Sequence, residues 1–267
     1  MEDEGVEEGR PPPDRDAHRR RRTHGYRRAA GQDLQVAVVT GASSGIGAEL
    51  VRRLQARGGH VVGLSRRPSA ADEHETCDVA DREAGEAAAA RVLERHPRID
   101  LLVCNAGVGA RTRFVDADPA RIEQVVRVNY LGNVWTALAF LPGLGRGSHV
   151  VNVVSVAGTV ADGPYSASKH AQLALSRSLA VELAPRGISV HTVNPGWVET
   201  EGFPQRERLG RLVARVVVDP AFVVDRLLDA VEHDRREIVV PRWYRPAAWI
   251  QALAPGTVAR LRSLRPG

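Results

Sequence analysis

The sequence predicts an α/β fold: a doubly wound parallel sheet with helices on both faces, in a single domain. Short valine-rich runs alternate with stretches whose apolar residues recur at helical spacing, the pattern of parallel strands and their covering helices. The runs are apolar at consecutive positions, as strands buried on both faces require. The turn from the first strand into the first helix, "TGASSGIG", is rich in glycine.

The elements follow in order. The first 33 residues are charged, contain Pro11-Pro12-Pro13 and lack hydrophobic periodicity, so a disordered extension is expected there. Order begins at "LQVAVVT" (34–40), a buried strand bounded by glycine. "GAELVRRLQARG" (47–58) has helical spacing and "HVVGL" (60–64) reads as the second strand. "DREAGEAAAARVLERH" (81–96) is a helix with Asp81 suited to its N-cap, and "IDLLVC" (99–104) is the next strand. A long helical region over 117–142 leads to the strand "HVVNVVS" (149–155). A helix from Tyr165 to about Leu183 precedes the strand "ISVHTV" (188–193). After a loop-and-helix insertion come the helix "FVVDRLLDAVEH" (222–233) and the strand "REIVVP" (236–241). The domain is taken as 34–245. Residues 246–267 form an amphipathic, basic C-terminal segment, expected to pack on the domain's own apolar surface rather than on a membrane.

Composition narrows the function classes. A hydrophobic content of 43% suits a soluble globular chain. Cys77 and Cys104 stand far apart, without CxxC or Cys/His spacing, so no metal or disulfide framework is suggested and a reducing, cytoplasmic setting is expected. No apolar run is long enough to cross a bilayer, and no signal-type stretch opens the chain. The net charge is +5, with an acidic stretch over 1–16 and the basic block "HRRRRTHGYRR" over 18–28. That block reads as a solvated tail, so no nucleic-acid partner is expected. Of the 37 lysine and arginine residues only Lys169 is lysine, a bias in keeping with a GC-rich genome. The one exception lies four residues after Tyr165, in "YSASKH".

Gly41, Gly45 and Gly47, with Ser43, Ser44 and Ile46 between them, sit where a pyrophosphate could approach the main chain and meet a helix N-terminus. The alternative is that the glycines serve only a left-handed turn. Their place in the first strand–helix unit favours the nucleotide. An acidic residue at the end of the second strand would favour NAD(H); Ser65-Arg66-Arg67 stands there instead. A guanidinium suits a 2′-phosphate, so NADP(H) is preferred and NAD(H) remains possible. Asp78, beside Val79, is placed to meet an adenine amino group.

Taken together the residues resemble one family, the single-domain short-chain dehydrogenases/reductases. The matches are "TGASSGIG", "CNAG" (104–107), "VNYLG" with Asn129, "VVSVAG" with Ser155, "YSASK" and "NPGWVET" (194–200), in the family's order over about 34–241. The resemblance implies a Rossmann-type fold and catalytic positions at Tyr165, Lys169, Ser155 and Asn129. It implies cofactor contacts at Asn105, Ala106, Gly107, Pro195, Gly196, Val198 and Thr200, and a substrate lid over "EGFPQRERLGRLVARVVV". Homodimers or homotetramers are common in the family. There are two departures: Cys104 replaces the usual asparagine, and the segment from Ser155 to Tyr165 is several residues shorter than usual.

The chemistry of the motif is direct. Residues four apart share a helix face, so Tyr165 and Lys169 project together. A neighbouring ammonium is expected to lower the tyrosine pKa, letting Tyr165 exchange a proton with a carbonyl or alcohol oxygen. Ser155 would hold that oxygen, and Asn129 would anchor a water leading from Lys169 to solvent. The expected activity interconverts a ketone or aldehyde and an alcohol. The rival readings are an NAD(H)-dependent alcohol dehydrogenase of the same fold, a non-catalytic NAD(P) sensor, which would be expected to lose Tyr165 or Lys169, and a nucleic-acid-associated protein. Apolar Phe203, Leu209 and Leu212 lean the substrate toward a hydrophobic or medium-sized molecule.

Overall fold

The structure is a computed structural model that describes residues 35–110, 112–201, 204–206 and 216–263. The expected disordered extension therefore lies outside the described residues, as do Phe203, Leu209 and Leu212. Seven strands form one sheet: β1 (Val36–Thr40), β2 (His60–Ser65), β3 (Glu73–Thr76), β4 (Leu101–Cys104), β5 (His149–Val153), β6 (Ser189–Pro195) and β7 (Glu237–Val240). They are all parallel, in the order β3-β2-β1-β4-β5-β6-β7. The winding reverses between β1 and β4, and in open α/β sheets the crevice outside the carboxyl ends of strands at such a point holds the ligand.

Helices α1 (Gly45–Gln55) and α6 (Pro220–Glu232) cover one face. Leu50, Leu54, Val223 and Leu227 pack there on Ala37, Val39, Val103 and Val193. The other face carries α2 (Arg82–Arg95), α4 (Gly132–Phe140) and α5 (Gly163–Glu182), whose Val92, Phe140 and Leu179 pack with Val38, Leu102 and Val150. Successive β1 residues thus enter opposite cores, which is why Val36 to Val39 are all apolar. Each such side chain fully removed from water contributes roughly 1.5–3 kcal/mol before entropy is counted.

Two elements differ from expectation. β3 was not anticipated: its sequence, EHET, has no apolar pattern, and it holds the sheet edge with charged side chains. The helical region over 117–142 differs only in detail: it runs unbroken over 119–140 but changes its winding part-way. α3 (Pro119–Val126) passes through a π turn, Arg127–Leu131, before α4 begins. Asp81 does cap α2, accepting from the Ala84 amide at 3.1 Å. Beyond β7, a one-turn helix, Arg242–Tyr244, leads into α7 (Arg245–Leu253) and α8 (Pro255–Ser263). Tyr244 lies against Gly196, while Trp249, Ile250 and Leu253 are exposed.

Candidate active site

A cleft of about 1020 Å³ opens at the carboxyl ends of the strands. Almost every residue singled out in the sequence lines it. From the glycine turn come Gly41, Ser43, Ser44, Gly45 and Ile46, and from the ends of β2 and β3 come Ser65, Arg66, Asp78 and Val79. Asn105, Ala106 and Gly107 follow β4, and Pro195, Gly196, Val198 and Thr200 follow β6. Ser155, Tyr165 and Lys169 complete the set. Gly47 and Asn129 stand behind the lining and hold it up.

Gly41 turns the chain out of β1 at φ +68°, a left-handed value that favours glycine. Gly47 faces backbone so closely that a Cβ there would sit 2.2 Å from the Gly41 carbonyl oxygen. No acidic residue occupies the first turn of α1, and the Ser44 side chain makes no cap bond, so the helix start faces the cleft with its amides unmasked. This close backbone cradle fits a dinucleotide pyrophosphate. Thr40, overlooked in the sequence, ties the two cofactor-side loops together: its Oγ1 accepts from the Asn105 and Ala106 amides at 3.0 and 3.1 Å. Asn105 Nδ2 returns a bond to the Thr40 carbonyl at 3.0 Å.

On the opposite wall, Ser155 caps the short 3-10 turn Val156–Thr159, accepting from the Ala157 amide at 3.1 Å. Tyr165 is hydrogen-bonded to Ser155, so the shortened segment between them still brings the two hydroxyls together. Lys169, one helical turn on, is 4% exposed, and its Nζ lies 5.8 Å from the Tyr165 ring centre. Nζ donates to the Val153 carbonyl at 3.1 Å and to Gln172 Oε1 at 2.7 Å.

The expected lowering of the tyrosine pKa is not what this arrangement gives. Burial pushes Tyr165 up to about 12, against the opposing hydrogen bond from Ser155. Burial likewise lowers Lys169 to about 7. The ammonium is held by Gln172 and Val153, and desolvation is the largest cause of the shift in both groups.

A stability prediction follows from the lysine. Below pH 7 it is protonated in both folded and unfolded chains, so the cost of burying its charge is fully present. Between its folded value of about 7 and the ordinary 10.5 the unfolded chain binds the extra proton, so this term makes stability rise with pH. Tyr165 acts oppositely, but only above pH 10, and buried Cys104, raised from 9 to about 12, opposes from near pH 9 upward. Lys169→Met should therefore be more stable than wild type at pH 7, with the gap narrowing by about pH 8.5. Urea midpoints at both pH values check this; a gap that does not change with pH would contradict it.

Asn129 lies in the π turn, a distortion often found at functional sites. Its side chain grips Val108 twice, Oδ1 accepting from the amide at 2.8 Å and Nδ2 donating to the carbonyl at 2.9 Å. Its own carbonyl accepts from Asn133 Nδ2 at 2.7 Å. Gln172 Nε2 donates to Asn133 Oδ1 at 3.0 Å. Lys169, Gln172, Asn133 and Asn129 thus form a buried side-chain relay. Gln172 and Asn133 were not singled out in the sequence, although a glutamine on the buried face of "KHAQLAL" is a signal that could have found Gln172. At the cleft mouth Tyr244 packs edge-on to Trp197, the ring centres 6.2 Å apart. Val198 and Val218 pair in an isolated parallel bridge.

Residues 35–208 match the family model described as short chain dehydrogenase. The chain belongs to the short-chain dehydrogenase/reductase family. It is accordingly an oxidoreductase with an NAD(P)-binding, Rossmann-type domain. Galactitol 2-dehydrogenase (L-tagatose-forming) of Cereibacter sphaeroides is 36% identical over 195 residues, 66% of this chain and 76% of that protein. Dehydrogenase/reductase SDR family member 7B of Xenopus laevis is 31% identical over 88% of this chain and 84% of its own length. A short-chain dehydrogenase from Burkholderia cenocepacia, solved in complex with NADP, superimposes with a TM-score of 0.75 at 29% identity, covering 87% of this chain and 99% of that one.

Proposed function

We propose that this short-chain dehydrogenase/reductase is an NADP(H)-dependent enzyme interconverting a ketone or aldehyde and an alcohol. The observation that carries the reading is the hydrogen-bonded Tyr165–Ser155 pair on the cleft wall, with Lys169 on the same helix face. Bound in the cleft, the nicotinamide supplies or takes up a hydride. Ser155 Oγ holds the substrate oxygen, and Tyr165 gives it a proton in reduction or removes one in oxidation. Lys169 orients the cofactor ribose and brings positive charge toward the phenol once its ammonium swings off Gln172. The relay through Gln172 and Asn133 fixes the lysine's resting position, and Asn129 fixes the loop at Val108 that borders the reacting centre.

The NADP preference rests on Arg66 and on the absence of a carboxylate at the end of β2. Arg66 Nη1 stands 3.8 Å from Asp78 Oδ2, and both side chains are well exposed, so the guanidinium is free to exchange this loose pairing for a phosphate. Arg66→Ala is expected to weaken NADPH binding by about tenfold to a hundredfold, the scale of one charge-assisted hydrogen bond, and NADH binding far less. Titrations of both cofactors decide it; equal losses for the two would remove the 2′-phosphate assignment.

A panel of carbonyl compounds and alcohols, followed by NADPH absorbance, tests the reaction itself. Turnover of at least one carbonyl class, lost in Tyr165→Phe, is the expected result. Intact NADPH binding with no turnover across the panel would argue for a sensor. Leu138 on α4 and Val181 on α5 are exposed apolar side chains on that face of the domain, in keeping with a homodimer or homotetramer. A cytoplasmic setting agrees with the two buried free thiols. Among the described residues, no helix is long and apolar enough to cross a membrane.

A further inference from the structure

We propose that His60, Glu73 and His96 form a binding site for a divalent transition-metal ion of the zinc class, at the end of the sheet remote from the cofactor cleft. His60 opens β2, Glu73 opens β3, and His96 follows the last residue of α2. Three separate elements therefore meet at one point.

Both imidazoles aim the same nitrogen at the same oxygen. His60 Nε2 lies 2.8 Å and His96 Nε2 2.7 Å from Glu73 Oε1. The three ligand atoms all lie within 4.8 Å of one another, and the two rings are tilted by 44° with centres 5.1 Å apart. A zinc ion bonded at about 2.0–2.2 Å needs its ligand atoms about 3.3 Å apart, so each histidine–carboxylate gap opens by about half an ångström to admit one. The side chains of His60, Glu73 and His96 are 39%, 27% and 19% exposed, which gives an ion a path in and leaves room for water as a further ligand.

The surroundings fit a held ligand set. Glu73 Oε2 accepts from Arg95 Nε at 2.9 Å, and Arg95 Nη2 donates to Glu75 Oε1 at 2.7 Å. This outer ring fixes the carboxylate while leaving Oε1 turned to the histidines, as outer partners do at metal sites. Two imidazoles and one carboxylate select zinc, cobalt, nickel or copper; magnesium and calcium prefer oxygen alone. On binding, each ring offers its Nε2 lone pair, with its proton at Nδ1 or, from a charged ring, released to solvent. A metal here would fasten β3, the one strand with no apolar pattern, to β2 and α2.

The test uses the full-length chain, stripped with EDTA and titrated with Co²⁺ for its visible d–d bands and with Zn²⁺ for thermal shift. Wild type is expected to bind with a dissociation constant at or below about 10 µM and to melt higher with Zn²⁺ than with Mg²⁺. His60→Gln and His96→Gln keep an N–H donor for Glu73 and remove the metal ligand, so each should weaken binding about tenfold to a hundredfold. His74→Gln and the pair His18→Gln/His24→Gln should leave it unchanged. If a histidine variant fails to fold, Glu73→Gln removes the third ligand and should weaken binding by the same order. No metal-dependent shift in wild type, or unchanged binding in the ligand variants, overturns the proposal and leaves a hydrogen-bond hub at the sheet edge.

Discussion

Lys169→Arg should fold and should lose on the order of a hundredfold or more in kcat, the scale of lost acid–base assistance. The residue is 4% exposed, and its Nζ is held by Val153 and Gln172, 5.8 Å from the Tyr165 ring centre. The space suits a compact ammonium on a flexible stem. A guanidinium is planar and bulkier, spreads its charge and presents donors in a fixed fork. It also holds its proton at every accessible pH, whereas burial brings Lys169 to about 7. Any limb of the pH–rate profile that follows Lys169 near 7 should vanish in the variant, because a guanidinium does not titrate there. The measurement is kcat against pH with a turned-over substrate, beside a thermal melt that establishes folding. Near-wild-type turnover would mean that any cation at this position suffices.

Gly47→Ala should all but abolish cofactor binding. A Cβ there would lie 2.2 Å from the Gly41 carbonyl oxygen and 2.7 Å from Asn105 Nδ2. The obstructing carbonyl belongs to backbone anchored by the Gly41 amide on the Leu64 carbonyl at 2.8 Å, so it has little room to move. The glycine turn must shift, and with it every amide that faces the pyrophosphate. Overpacking of this kind costs about 1–3 kcal/mol in stability, which for a domain of this size is a fall of about 2–12 °C in melting temperature. The loss in NADPH affinity is expected to reach about a hundredfold. Gly85→Ala is the control: within α2, with open space around its Cβ, it should leave binding intact and stabilise the helix by up to about 1 kcal/mol. Normal NADPH affinity in Gly47→Ala would show that the turn does not cradle the cofactor.

Much of this was legible in the sequence, and particular residues show why. β1, β2, β4 and β5 each carry a run of consecutive apolar residues because both faces of the sheet are covered, so that run betrays them without reference to partners. Tyr165 and Lys169 share a helix face by spacing alone. Gly41, Gly45 and Gly47 announce a backbone requirement, since a left-handed turn or a close approach excludes other residues for local reasons. Each of these depends on a few neighbours along the chain.

What the sequence concealed depends on neighbours distant along it. β3 is a strand because β2 offers it a ladder and Arg91, Arg95, His60 and His96 take up its two glutamates, not because EHET prefers to be extended. The tyrosine pKa could not be settled by spacing: four residues place an ammonium nearby, but only the fold decides that Gln172 and Val153 hold it while burial penalises the phenolate. Thr40 reaches Asn105, and Tyr244 reaches Gly196, across 65 and 48 residues of chain, contacts that no local pattern records. The sequence by itself determined the winding, the turn and the shared helix face of Tyr165 and Lys169, because periodicity and backbone conformation are short-range. Tertiary structure alone decided the polar relay and the charge balance at the site, because desolvation and long-range hydrogen bonds exist only once the two cores have closed on the sheet.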